Sequence, residues 1–110
     1  MHIFSSLIAQ KESLSSNRSI PQSGVMMEYT SQTVTIYFNG YSATNDSDIG
    51  LPSDCYPWQI ARFLFMDTTD ASVKCLLINT NGHLLLRSLS GAIINTANIT
   101  GTVSFTPHGS

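Results

Sequence analysis

The sequence predicts an all-β fold, an antiparallel sandwich or barrel of six to eight short strands in a single domain. Apolar and polar residues alternate over short segments, and turn residues separate these segments at nearly regular spacing. No segment shows a convincing helical period longer than two turns. The length of 110 residues is enough for one core and too short for two.

The strand signals run from residue 24 to residue 107, which is the range predicted for the folded domain. The strand that contains Val34, Ile36 and Phe38 alternates most clearly, with these three side chains on one face. Asn81–Gly82 predicts a hairpin, because both residues tolerate positive φ. In chain order, the predicted strands are GVMMEYT, TVTIYFNGYSA, ARFLFMD, VKCLLINT, HLLLRS, IINTANI and TGTVSF.

Residues 1–23 are rich in serine and have no sustained period, so they are predicted to form an irregular N-terminal arm or linker. Their first residues lack the positive n-region and the long apolar h-region of a signal peptide. No apolar run approaches the roughly 18 residues that span a membrane, so membrane insertion is not expected.

The charge of the chain argues against nucleic acid as a partner. Charged residues make up only 11% of the sequence and the net charge is −2, whereas nucleic-acid binders carry a basic patch. The five basic residues are scattered along the chain as Lys11, Arg18, Arg62, Lys74 and Arg87.

Neither cysteine belongs to a recognisable motif. Cys55 and Cys75 do not fit a zinc pattern, and their number and spacing do not demand a disulfide. Half-buried free thiols are favoured over a pair, because free cysteine is among the more buried residue types.

A stiff corner precedes the strand ARFLFMD. Pro52 and Pro57 fix φ and remove two backbone donors, so the segment between them is not a central strand. Leu51, Tyr56 and Trp58 are expected to cap one end of the barrel. Trp58 has two interpretations, a plug in the core or an interface, and a flat platform on which a sugar ring stacks.

Trp58, His83 and Arg87 are the candidate saccharide-binding residues. His83 and Arg87 share one face of their strand and point outward if Leu84 and Leu86 face the core. Arginine presents fixed donors that suit hydroxyls and carboxylates. The alternative interpretation is an ordinary solvated face.

Metal binding and catalysis are not expected. The acidic loop with Asp46, Asp48 and Asp54 does not match the ligand spacing of an EF-hand calcium loop and is predicted to be a solvated loop. The chain lacks a nucleophile elbow, a P-loop, HExxH and GxGxxG. We therefore predict no enzyme activity and no cofactor.

Two predicted strands are apolar on both faces, which indicates cover on both faces. A small barrel can bury only the side chains on its inner face. The apolar side chains on its outer face must therefore be covered by another surface, and a second copy in a symmetric oligomer is the simplest source. The residues concerned are Phe63, Leu64, Phe65 and Met66 in one strand, and Cys75, Leu76, Leu77 and Ile78 in the next.

The order of motifs from Val25 to Thr106 carries a family likeness. VTIYFNGY is followed by IGLPSDCYP, ARFLFMD, VKCLLINTNGHLLLRS and ITGTVSFTP. This order resembles the C-terminal head domains of receptor-binding proteins in phage tails and baseplates, especially of phages that infect Gram-positive bacteria. The sequence departs from that pattern at Cys55 and Trp58, where small or basic residues are usual.

The resemblance implies a small Greek-key β-barrel that assembles as a homotrimer at the tip of a virion tail or baseplate. It further implies adhesion to host cell-surface saccharides, often in a groove between protomers, and attachment to an upstream stalk or baseplate protein. Two alternatives stay open. One is a structural baseplate or tail-tip domain that docks another virion protein, and the other is a cellular trimeric jelly roll with Cys55 and Cys75 paired.

Overall fold

The structure is a computed structural model that describes residues 17–108, and these residues form eight strands and one short 3-10 helix. The 3-10 helix covers Ser53–Cys55. The strands are β1 (Asn17–Gln22), β2 (Val25–Tyr29), β3 (Val34–Thr44), β4 (Ser47–Asp48), β5 (Ala61–Asp67), β6 (Ser72–Ile78), β7 (His83–Arg87) and β8 (Thr96–Phe105).

All eight strands belong to one curled antiparallel sheet with the order β1-β2-β3-β8-β5-β6-β7-β4. Hairpins join β5, β6 and β7 in sequence, and β8 returns to lie beside β5. This spatial order, 8-5-6-7, is a Greek key. The predicted all-β class, strand number and antiparallel pairing are confirmed.

The core lies on the inner face of the curled sheet. In β3 the buried positions Val34, Ile36 and Phe38 alternate with partly exposed ones, as the sequence pattern predicts. In β7, Leu84 and Leu86 are fully buried. Ile36, Leu76, Leu84 and Leu86 belong to one core cluster that draws side chains from both halves of the sheet, so the fold is held by burial of a single apolar interior.

The sheet curls until its two outermost strands approach each other. A register shift between Phe38 and Tyr41 bends β3. Residues 45 and 46 then lead the chain into β4, which pairs with β7 at the far side of the sheet. Near this edge Gln22 Nε2 of β1 donates to the Asp48 carbonyl at 3.1 Å. The result is a half-barrel whose outer strands are bridged.

Two strand boundaries differ from the sequence prediction. Residues 17–22 fall in the segment predicted as an irregular arm, yet they pair with β2 as β1, because the turn at Gly24, with φ of 83°, folds them back onto that strand. Residues 1–16 of that arm lie outside the described residues. The last four residues of IINTANI and the segment TGTVSF form the single strand β8, which pairs with β3 along its length.

Candidate binding surfaces

The proline corner exposes the single tryptophan of the chain. Trp58 is 67% exposed, whereas Leu51 is 4% exposed and belongs to the core. Tyr56 packs against the core. The predicted end cap therefore consists of Leu51 and Tyr56, and Trp58 lies outside it, which excludes its interpretation as a core plug within one copy.

A histidine from the end of the chain supports Trp58. The rings of Trp58 and His108 meet edge to face, with centroids 5.8 Å apart. His108 is fixed by its own backbone N–H, which donates to the Tyr56 carbonyl at 2.7 Å, and its Nε2 lies 2.8 Å from the Ser53 carbonyl oxygen. The indole is thus braced on one side while most of its surface faces solvent. His108, which the sequence did not single out, is part of this platform.

His83 points outward, as predicted, and is held by the acidic loop. Its Nδ1 lies 3.0 Å from Asp46 Oδ1, and its side chain is 35% exposed. Asp48 pairs with His83 in the β4–β7 ladder. The preceding residue, Gly82, packs against the ring of Tyr56, so His83 and the proline corner occupy the same end of the half-barrel.

Arg87 lies elsewhere, in a groove on the outer face of β5, β6 and β7. It donates from Nη1 to Asn45 Oδ1 at 2.9 Å and to the Leu86 carbonyl at 2.7 Å. The groove has a volume of about 320 Å³, and its lining includes Arg62, Cys75, Leu77, Leu85, Arg87 and Leu89. Trp58 and His83 do not line it. The three predicted saccharide residues are therefore not brought into one pocket.

The strand registers arrange the outer face of β5–β7 in three transverse rows. These rows are Met66–Val73, Leu64–Cys75–Arg87–Ile93 and Arg62–Leu77–Leu85. Leu64 is 68% exposed and Ile93 is 64% exposed. Leu77 is buried but does not belong to the core cluster. We name this apolar area the outer apolar face. β5 and β6 therefore carry apolar side chains on both faces, as the sequence predicts.

A second depression, which sequence reasoning missed, lies at the far ends of β3 and β8. It has a volume of about 230 Å³ and is lined by Ser42, Ala43, Thr44, Thr69, Thr96, Ala97 and Asn98. Hydroxyl and amide groups dominate this lining, and they both donate and accept hydrogen bonds. Asn98 is already engaged, because its Nδ2 donates to the Gly40 carbonyl at 3.3 Å. The remaining hydroxyls suit a small polar ligand.

Asp67 is a buried carboxylate with a structural role. Its Oδ1 accepts from the backbone N–H groups of Thr69 and Asn98 at 3.0 Å each, and Lys74 Nζ lies 2.5 Å from its Oδ2. Burial by itself raises the pKa of Asp67, but the hydrogen bonds from Lys74, Asn98 and Thr69 outweigh it and hold the pKa well below its ordinary value. The side chain thereby ties the β5–β6 turn to β8.

Both cysteines are free thiols, with Cys55 buried and Cys75 partly buried. Burial, reinforced by the neighbouring carboxylate of Asp54, raises the pKa of Cys55 to about 11. A thiol with so high a pKa is a poor nucleophile at neutral pH. The disulfide that the cellular jelly-roll alternative requires is not formed.

A thiol titration checks this assignment. We expect two reactive thiols per chain in denaturant. In the variant Cys75→Ser, we expect none in the folded protein and one after unfolding, because Cys55 is then the only cysteine and is buried. A zero count in denaturant without reductant would contradict the assignment.

No metal centre or membrane-spanning helix is found in residues 17–108. No three His, Cys, Asp or Glu side chains among them are placed to hold a metal ion. In the acidic loop, Asp46 faces His83 and Asp48 Oδ1 accepts from the Gly50 N–H at 2.8 Å. Within the same range, no helix is long and apolar enough to cross a bilayer.

Comparison with known proteins adds no assignment. No protein-family model matches the chain, and no curated protein matches it. The class that the fold and its surfaces define is a small antiparallel Greek-key half-barrel with an exposed aromatic platform and an outer apolar face.

Proposed function

We propose that the protein is a non-catalytic binding module that works as a homotrimer and attaches a phage virion to saccharides of the host cell surface. The observation that carries the saccharide part is the braced, exposed indole of Trp58. A flat aromatic ring suits the C–H face of a pyranose, and the indole N–H can donate to a sugar hydroxyl. The order of motifs from Val25 to Thr106 supports the viral setting.

The surroundings of Trp58 also favour a polar ligand. His108 contacts the indole ring, Gln59 follows Trp58 in the sequence, and the side chains of Gln59 and Ser53 are exposed. Because His108 is already held by Tyr56 and Ser53, the platform loses little side-chain freedom when a ligand binds. Each site would bind weakly, and three sites on one trimer would raise the avidity.

The saccharide proposal is tested with Trp58 itself, the single tryptophan in the sequence. The protein is screened on a glycan array, and each saccharide that binds is titrated while the tryptophan fluorescence is recorded. We expect a saturable change in fluorescence. We also expect Trp58→Ala to weaken binding at least tenfold, whereas Trp58→Phe keeps a flat ring and loses less.

The matched control is Ile20→Ala, because Ile20 on β1 is 69% exposed, as exposed as Trp58. This control should bind like the wild type. If a saccharide binds on the array but does not change the fluorescence, its binding site would instead be assigned to the hydroxyl-lined depression of β3 and β8. No binding on the array and no adsorption to any host cell would contradict the proposal.

One observation favours the structural alternative, a tail-tip or baseplate domain that docks another virion protein. Leu89 and Ile93, in the connection between β7 and β8, are 65% and 64% exposed. A trimer that leaves these side chains uncovered would retain an apolar patch for a further protein. This function predicts an intact oligomer that binds no saccharide.

A further inference from the structure

The outer face of the half-barrel has two chemically different halves. Over β1, β2, β3 and β8 it is mainly polar, apart from Ile20: Thr35 and Ser104 share a hydrogen bond of 3.2 Å, and Arg18 pairs with Glu28 at 3.0 Å. Over β5, β6 and β7 it is the outer apolar face. Because the polar half has its own partners and the apolar half exposes Leu64, the apolar half is the one that burial against a partner would stabilise.

Two arginines in the groove restrict the nature of that partner. Arg62 and Arg87 line the groove, and neither forms an ion pair within residues 17–108. Covering a guanidinium with apolar surface costs free energy unless an opposite charge is supplied. The partner must therefore bring carboxylates to the groove.

A second copy cannot supply these carboxylates if its own outer apolar face packs against the outer apolar face of the first copy. A two-fold contact of the outer apolar face with itself would bring two pairs of arginines together and supply no carboxylate. A head-to-tail contact, in which a different surface of the second copy covers the groove, avoids this repulsion. Such contacts close into rings when the rotation between copies allows it.

The chain carries a matching pair of carboxylates. Within residues 17–108, Glu28, Asp46, Asp67 and Asp70 face basic or histidine side chains, and Asp48 and Asp54 alone have no such partner. Both are exposed. They lie at the end of the half-barrel near His83 and the proline corner, beside the outer apolar face and not within its rows.

We infer that the groove between Arg62 and Arg87 is covered by a second copy of this chain, with the segment Asp48–Asp54 of that copy facing the two arginines. This inference rests on the proposed homotrimer and adds the surfaces that join its subunits. Three such contacts in head-to-tail order close the ring. Each contact covers the outer apolar face, and each leaves no unpaired arginine beneath it.

Charge reversal tests the contact. One variant combines Arg62→Glu with Arg87→Glu, and the other combines Asp48→Arg with Asp54→Arg. Light scattering after size-exclusion chromatography should give the wild type three times the 12.0 kDa chain mass, and each variant alone the mass of one chain, with association weakened at least tenfold. An equimolar mixture of the two variants should associate, because a groove of one variant then meets a loop of opposite charge on the other. A ring of three always keeps one contact between like variants, so complexes with one copy of each variant are expected rather than the closed trimer.

The control is Arg18→Glu, which makes a single Arg→Glu change on the polar half and should keep the wild-type mass. Thermal unfolding establishes that each variant is folded. Should a reversal prevent folding, the neutral pairs Arg62→Gln with Arg87→Gln and Asp48→Asn with Asp54→Asn replace it. Asparagine keeps an acceptor for the Gly50 N–H.

Several outcomes would overturn the inference: a monomeric wild type, charge-reversed variants that keep the wild-type mass, or a mixture of the two charge-reversed variants that does not associate. A groove filled by a small anion or by residues 1–16 of the same chain would leave the wild type monomeric. The saccharide titration of the wild type is independent of these results. A failed titration with a confirmed contact would reject the saccharide proposal alone, and a confirmed titration with unaltered variants would reject the contact alone.

Discussion

Replacing Gly82 by alanine is expected to destabilise the fold by about 3 kcal/mol. Gly82 has φ of 81°, a conformation that costs an L-residue roughly 1–2 kcal/mol. A methyl group there would also lie 2.3 Å from Cε1 of Tyr56, so the ring that packs against the core would have to move, and such overpacking costs roughly 1–3 kcal/mol. Urea denaturation at one fixed protein concentration measures the loss.

Gly91 provides a matched control for this substitution. It has φ of 95° and nothing within 4 Å of its added Cβ. Its N–H closes a turn with the Ser88 carbonyl at 3.0 Å, as the N–H of Gly82 does with Asn79 at 2.8 Å. Gly91→Ala should therefore cost only about 1 kcal/mol, the backbone part alone. Equal losses at both positions would show that the contact with Tyr56 does not restrict position 82.

Replacing Asp67 by asparagine is expected to cost about 2–3 kcal/mol at neutral pH, because the charged hydrogen bond to Lys74 is lost while the ammonium remains. Asparagine can still accept from Thr69 and Asn98, so the change isolates the ionic contact. The control is Asp70→Asn, which removes the other carboxylate near Lys74, at 2.9 Å. Its side chain is 53% exposed, and the loss should be much smaller.

The same carboxylate predicts a dependence of stability on pH. The pKa of Asp67 is lower in the folded protein than in the unfolded chain, so the unfolded state binds more protons as the solution is acidified. The contribution of Asp67 is complete above its unfolded pKa of roughly 4 and is lost as the pH falls below that value toward the lower folded pKa. Asp67→Asn should therefore flatten the acid side of the stability profile, and an unchanged slope between roughly pH 4 and pH 2 would contradict this role.

The strands that could be predicted are those whose burial follows a local pattern. Val34, Ile36 and Phe38 alternate because one face of β3 meets the core, and the turn before β7 follows from Gly82, which adopts positive φ. The two-residue strand β4 has no such pattern. Its pairing with β7 depends on the curl of the whole sheet, which is a long-range property.

The binding surfaces were predictable only in part, for the same reason. Position along β7 is enough to place His83 and Arg87 on the outer face, but not to show that one meets Asp46 and the other lies in a groove. The contact of Trp58 with His108 joins residues far apart in sequence. The structural role of Asp67 could not be predicted, because it depends on contacts with Asn98 and Lys74.

The two outermost strands also determine how copies of the chain can aggregate. β4 has only two residues, and β1 contains Pro21 and a register irregularity between Ser19 and Gln22. Neither edge strand presents a long, flat row of free amide and carbonyl groups with which a strand of another chain could pair. We therefore expect concentrated solutions to resist growth into amyloid fibrils, with thioflavin fluorescence staying at its baseline on prolonged incubation.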